Sequence, residues 1–216
     1  MRLIRRATTL LMASSVQALT PAYDVVVYGA SGFTGRLAVE YLADRYATSG
    51  LKWAIAGRSR ERLEALEAKV PIIVADATDA ASVDAMVSQT KVLLNYAGSP
   101  YITKALPVVE ACARHGTHYV DVTGEVALHR ASLSKYDAKA KETGSLIVHS
   151  CGYDSIPSDL GYLLASDAYQ ERYDAQPERA RLLTRGFEGG GISGGTIYTG
   201  LALLGYADEL MTEEAK

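Results

Sequence analysis

Cysteine is scarce, with only Cys112 and Cys151 in 216 residues. That excludes a disulfide framework and a cysteine-rich zinc site. Cys112 falls on an apolar helical face and Cys151 at a strand end. Histidine is sparse too: His115, His118, His129 and His149 lack metal-ligand spacing and read as surface or core residues, so no metal is expected. Positive charge has no excess, because Lys+Arg 22 against Asp+Glu 25 leave a net charge of -3. A nucleic-acid partner is therefore not expected. None of the fourteen tyrosines has a lysine four positions on; Tyr101/Lys104 and Tyr136/Lys139 are three apart. This argues against the short-chain dehydrogenase mechanism, and it ranks a nucleoside-diphosphate-sugar epimerase last among the functions considered.

Acidic residues are missing from the beginning of the chain, where none precedes Asp24. Met1 to Arg6 is basic, and Ala7 to Val16 is mildly apolar with Ser and Thr. Residues 1–21 therefore read as a targeting segment or a disordered tail. The Arg-rich, acid-free composition favours an organellar address, mitochondrion or plastid, with the secretory pathway or cytoplasm as alternatives. The apolar part is too short to span a bilayer.

What is present is a glycine turn in the right setting. Val25 to Tyr28 reads as a buried strand. Gly29, Gly32 and Gly35 follow it, and a helical pattern begins with Leu37, Ala38, Tyr41 and Leu42 expected on one face. Strand, glycine turn and helix in that order suit a dinucleotide pyrophosphate. Gly29 permits the tight turn, Gly32 the approach of the phosphates and Gly35 close helix packing. Ser31 and Thr34, with Phe33 between the glycines, complete the candidate loop, and its N–H groups and the helix dipole face the anion. The G-x-x-G-x-x-G spacing alone also fits an ordinary turn; the flanking strand and helix select the nucleotide site.

The pattern repeats downstream. Strands are expected at Lys52–Ala56, Pro71–Ala75, Lys91–Asn95, His118–Val122 and Ser145–His149. Helices are expected over Arg60–Lys69, Ala80–Ser88, Leu106–Arg114, Val126–Thr143 and Ser158–Tyr173. Alternating strands and helices predict an α/β, Rossmann-type doubly wound parallel sheet over residues 22–176. Residues 177–216 change pattern: Ala180 to Thr184 could be a strand, a Gly-rich run from Gly186 to Thr196 could be a linker or an anion loop, and an apolar helix follows. This stretch is expected to begin an incomplete α+β substrate domain.

Cofactor choice rests on the end of the second strand. The acidic residue that would take a ribose 2′-hydroxyl is missing there, and Arg58 stands in its place with Ser59 and Arg60. An arginine fork matches a phosphate, so NADP(H) is preferred over NAD(H). The competing reading leaves these arginines solvated, with Glu61 and Glu64 as partners. Asp76 is placed to hydrogen-bond an adenine amino group, Asp79 reads as a helix N-cap, and the small turn Ala97–Gly98 would let the cofactor ribose pass. Catalytic residues are not assigned. Glu125, Tyr153, Asp154 and Ser155 are the candidates for handling a proton, against a reading in which Asp154 and Ser155 merely hold the loop.

Six segments together resemble the saccharopine dehydrogenase-like oxidoreductases, the group that includes trans-acting enoyl reductases. They are Tyr28-Gly-Ala-Ser-Gly-Phe-Thr-Gly-Arg36, Ala56-Gly-Arg-Ser59, Val108-Val-Glu-Ala-Cys-Ala113, Gly116-Thr-His-Tyr-Val-Asp-Val-Thr-Gly-Glu125, Gly152-Tyr-Asp-Ser-Ile-Pro-Ser-Asp-Leu-Gly161 and Gly190-Gly-Ile-Ser-Gly-Gly-Thr196. The resemblance implies an NAD(P)-binding domain followed by a substrate domain that this chain does not complete. Asn95-Tyr-Ala-Gly-Ser-Pro100 departs from the family's usual Asn-Cys-Val-Gly-Pro. The resulting expectation is an NADP(H)-dependent oxidoreductase acting on a small or lipid-like carbonyl, imine or enone, with a homodimer as an option. The alternative is a non-catalytic NADP-binding or redox-sensing module, or an inactive truncated product.

Overall fold

The computed structural model describes residues 21–98, 100–183, 186, 194–201 and 204. In chain order the elements are β1 (Tyr23–Tyr28), α1 (Phe33–Arg45), β2 (Trp53–Gly57), α2 (Arg60–Glu64), β3 (Ile72–Val74), α3 (Ala80–Val87) and β4 (Thr90–Asn95). Then come α4 (Tyr101–Lys104), α5 (Leu106–His115), β5 (His118–Asp121), α6 (Val126–Thr143), β6 (Ile147–Val148) and α7 (Ile156–Tyr173). The six strands form one sheet in the order β3-β2-β1-β4-β5-β6, with every pairing parallel. The order reverses between β1 and β4, which is the switch point where ligands lie in such sheets.

Helices cover both faces. Val27 and Ile55 pack with Val39 and Leu42 of α1 and Leu63 of α2. On the opposite face Val26, Ala54 and Leu93 pack with Val83 and Met86 of α3 and Val108 and Cys112 of α5. Successive residues of β1 thus enter opposite cores, which is why the strand reads as an unbroken apolar run. The expected doubly wound sheet is the observed one.

Several boundaries differ from the sequence expectation. The inward face of α1 is Gly35, Val39 and Leu42, whereas Leu37 and Tyr41 are 52% and 59% exposed. Gly35 must sit against the strand, and its position sets which side of the helix turns inward. α2 stops at Glu64 because Glu67 and Lys69 adopt positive φ, a conformation that ends a helix. β6 is only two residues long. Tyr101–Lys104 forms a short helix, α4, that the sequence reading missed, and α7 starts at Ile156 with Pro157 in its first turn, where a missing N–H costs nothing. Residues 180–183 carry no strand, so the strand expected from Ala180 is not formed over these positions.

The N-cap expected at Asp79 is observed, and two glycines close helices at their other ends. Asp79 accepts from Ala81 N at 3.1 Å, and Gly116 and Gly144 end α5 and α6 in the left-handed region. Residues 1–20 of the stretch expected as a targeting segment or disordered tail lie outside the described residues, as do most of the Gly-rich run and most positions after 201, where the apolar helix is expected to end. Among the described residues, no helix is long and apolar enough to cross a membrane.

Candidate cofactor site and a buried polar line beside it

The glycine turn is built by contacts that leave no room for side chains. Gly29 has φ +81, and a Cβ there would meet Ala97 N at 2.5 Å. A Cβ on Gly35 would meet Gly29 O at 2.2 Å. Gly32 donates to Gly29 O at 3.0 Å and stands at the N-cap of α1, with no side-chain cap and no acidic residue in the first turn. The first-turn N–H groups and the positive dipole end are therefore not neutralised by a side chain. Ser31, Phe33 and Thr34 surround this end; the Phe33 ring is 65% exposed. These features fit the pyrophosphate of a dinucleotide.

The neighbouring strand ends converge on the same mouth. Arg58, directly after β2, is exposed and forms no salt bridge among the described residues, while Arg60 pairs with Glu64 at 3.6 Å. Of the partners named in the competing reading, Glu64 holds Arg60; Arg58 is solvated, which both readings allow. Ser59 is engaged as the cap of α2, accepting from Arg62 N. Asp76, after β3, accepts from Thr78 N at 2.9 Å and Thr78 Oγ1 at 2.8 Å. Those bonds hold its carboxyl below the usual range, with the charges of Arg58 and Lys104 adding. Behind them the Tyr28 hydroxyl is pushed up to about 12 by burial, with the Asp76 charge contributing. After β4, Asn95 Oδ1 accepts from Ala97 N at 2.9 Å, and Gly98 has φ +111. All ten residues read from the sequence as cofactor contacts therefore lie at the carboxyl ends of β1 to β4.

A second feature was not foreseen. Beside the Ala97 turn, a line of polar side chains crosses β4, β5 and β6 beneath their carboxyl ends. Asn95 Nδ2 donates to the Tyr119 hydroxyl at 2.9 Å, which donates to Asp121 Oδ2 at 2.9 Å. The same oxygen lies 2.7 Å from His149 Nδ1. Asp121 Oδ1 accepts from Thr123 N and Ser150 N, each at 3.1 Å. With Asp121 a carboxylate, Nδ1 of His149 must carry its proton toward it. The His129 ring stacks on His149, centroids 5.0 Å apart. Ser150 Oγ donates to Thr123 O at 2.6 Å, which leaves it to accept from His129 Nε2 at 3.0 Å. Ser150 reaches both partners with φ +60, a strained conformation for a residue with a side chain.

Burial sets the electrostatics of this line. The Tyr119 hydroxyl is held well above its ordinary range, chiefly by desolvation, with Asp121 adding. Burial also lowers His129, with repulsion from His149 next. The Cys151 thiol is raised by burial and by the Asp121 charge.

The expected proton handlers fare unequally. Glu125 is fully buried, and its carboxylate accepts from Tyr101 N at 2.7 Å and Ile102 N at 2.8 Å. It caps α4, so its oxygens are engaged in structure rather than turned toward a reactant. Ser155 begins α7 without a side-chain cap bond, and Asp154 contributes its carbonyl to Ser158 Oγ. Tyr153 is 66% exposed. The signal that could have found His149 is positional: Asn95 and Asp121 are polar residues paired at the ends of β4 and β5, and His149 directly follows β6.

Comparisons with known proteins bear on this geometry. The model of the saccharopine dehydrogenase NADP binding domain matches residues 25–148. A Mycobacterium tuberculosis protein provisionally named a trans-acting enoyl reductase is 40% identical over 192 residues, 86% of this chain and 45% of the relative. A trans-acting enoyl reductase of Mycobacterium ulcerans is 38% identical over 184 residues, 82% of this chain and 43% of the relative. The chain thus spans less than half the length of these relatives. Apo saccharopine dehydrogenase (L-Glu forming) from Saccharomyces cerevisiae shares the fold, with a TM-score of 0.55 and 22% identity over 71% of this chain and 32% of that one. The matched domain is one that binds NADP, in line with NADP(H) as the preferred cofactor over NAD(H). The matched span covers the sheet from β1 into β6 and includes every strand end that forms the mouth, so the chain belongs to the saccharopine dehydrogenase NADP-binding domain family.

Proposed function

We propose that this protein is an NADP(H)-dependent oxidoreductase that reduces an activated double bond, with a lipid-like enone or enoyl compound as the leading substrate class and a carbonyl or imine next. The single observation that carries the cofactor half is the glycine turn: backbone stands where any Cβ at Gly29 or Gly35 would stand. The substrate half is supported by the names of the enoyl reductase relatives.

The bound nicotinamide would supply the hydride, and the chain's own residues supply position. The uncapped first turn of α1, with Ser31 and Thr34, would hold the pyrophosphate, and Arg58 would grip the 2′-phosphate. Asp76 keeps a second carboxylate oxygen for the adenine amino group, and the Ala97–Gly98 turn, fixed by Asn95, would let the ribose pass. The basic, acid-free first twenty residues support an organellar site of action as part of the proposal.

The test is a titration of the full chain with NADPH and NADH, followed by nicotinamide fluorescence, and then turnover of an enone, imine and carbonyl panel. NADPH binding with oxidation in the presence of an enone is the expected result. No NADPH binding up to millimolar concentration would refute the reading. Tight NADPH binding with no turnover across the panel would instead favour the non-catalytic module.

A further inference from the structure

Two buried side-chain atoms, Ser166 Oγ and His149 Nε2, have no hydrogen-bond partner among the described residues, and only the second belongs to a group that can carry a proton in catalysis. The His149 side chain is 10% exposed, its Nδ1 is bonded to Asp121, and its Nε2 is buried with no hydrogen-bond partner among the described residues. Leaving a buried polar atom unmet costs about 1–3 kcal/mol. A four-contact carboxylate holds the ring that carries it, and a strained Ser150 holds the His129 ring stacked on it. His149 also lines, with His129, a cleft of about 500 Å³ between α6 and β6. Leu133, Leu146 and Val148 of that cleft are exposed, so it offers an apolar wall with imidazoles at one end. Through Asp121, Tyr119 and Asn95 the ring is tied to the backbone of the Ala97 turn.

We infer that His149 is the proton-transfer residue of this reduction, and that Asp121 and Tyr119 are the positioning residues that hold its ring. The inference rests on the oxidoreductase reading above. The bound cofactor would supply a hydride, with its electron pair, to the β-carbon of an enone. The C=C π pair moves toward the carbonyl to form an enolate, and the α-carbon takes a proton from Nε2–H of the imidazolium. The electron pair of that N–H bond stays on the ring, which becomes neutral and regains a proton from solvent. Throughout, the Asp121 carboxylate faces Nδ1–H, stabilising the charged ring without itself taking a proton. The titratable groups facing the ring are Asp121 and Tyr119 of β5 and His129 of α6, while the Cys151 thiol of the following loop lies against the Val148 and His149 carbonyls. The acceptor that suits the cleft is an apolar molecule carrying one conjugated carbonyl.

The experiment compares the full wild-type chain with His149→Gln and Tyr119→Phe. NADPH affinity should stay within about twofold in His149→Gln, whose side chain bonds to no residue of the cofactor mouth, whereas Tyr119→Phe also frees Asn95 beside the Ala97 turn, so its NADPH affinity is measured alongside its rate. Enone reduction should fall about 100-fold or more in His149→Gln, with loss of the basic limb of the pH profile. Tyr119→Phe keeps the imidazole and its carboxylate, and it should lower kcat with little change in KM. Histidine-ring nitrogen NMR on the wild type should show His149 protonated at Nδ1, with the Nε2 resonance moving when the saturated product is added. Wild-type rate and an unchanged pH profile in His149→Gln, with NADPH bound and enone reduced, overturn the role of His149 alone. An Nδ1 without a proton overturns it even if a variant fails to fold. A wild-type chain that does not bind NADPH, or binds it and reduces nothing, overturns the oxidoreductase reading and this inference together.

Discussion

The two halves of the sheet bind and hold by different means. On one side, β1, β2 and β3 end in a mouth made of backbone: glycines pressed against Ala97 and Gly29, an uncapped helix, and one exposed arginine. On the other, β4, β5 and β6 end over side chains that are buried and bonded to one another. The first half is shaped by what is absent, namely Cβ atoms and a helix cap. The second is shaped by polar groups that water cannot reach, so each requires a partner. A ligand approaching the first half meets a geometry already open; a group placed in the second must satisfy a fixed set of donors and acceptors.

Breaking the backbone half should have the largest effect. Gly35→Ala forces a methyl toward Gly29 O, where a Cβ would sit at 2.2 Å. Overpacking of this kind costs about 1–3 kcal/mol, and the turn must also shift; NADPH affinity should fall more than about 100-fold, since hydrogen bonds to the charged phosphates are worth about 1.5–3 kcal/mol each. Thermal unfolding and a fluorescence titration measure the two losses, and unchanged affinity would break the comparison.

Next comes the buried half. Glu125→Ala strands the N–H groups of Tyr101 and Ile102 and should cost about 1.5–3 kcal/mol in urea unfolding. Retained NADPH affinity in that variant would show that α4 is held independently of the glycine turn. Arg58→Ala should weaken NADPH about tenfold, since the arginine is exposed and screened, and leave NADH unchanged. Equal loss for both cofactors would remove the 2′-phosphate role.

The smallest effect is a pH slope. Folding lowers the affinity of His129 for protons, chiefly by burial, so near pH 6.5 the unfolded chain binds more protons than the folded one. This group's contribution to stability is therefore complete above the ordinary histidine range and is lost as pH falls through it. Urea unfolding of wild type and His129→Gln between pH 7.5 and pH 5.5, values set by that range at about 6.5, should differ in slope, with the wild type losing more stability toward acid.

The cofactor half was legible in the chain itself because its requirements are local. Gly29, Gly32 and Gly35 lie within one turn, Arg58 follows its strand directly, and the spacing of strand, turn and helix is a property of adjacent residues. Even there periodicity places only half of the helix face: Leu42 is buried and Ala38 packs against the same core as expected, but Leu37 and Tyr41 are exposed, and Val39 turns inward beside Gly35, which packs on Gly29. The short α4 was missed because four residues give no period; it stands on Glu125, which lies far along the chain.

The histidine line was illegible for the same reason in stronger form. His129 and His149 share no spacing, and Asp121 is separated from His149 by the whole of α6. What the sequence by itself determined is the alternation of apolar strands and amphipathic helices, and a phosphate turn whose glycines need only their immediate neighbours. Only the tertiary structure decided that Asn95, Tyr119, Asp121 and His149 share one buried face. Parallel register sets β4, β5 and β6 side by side, and burial compels the polar groups at their ends to find one another.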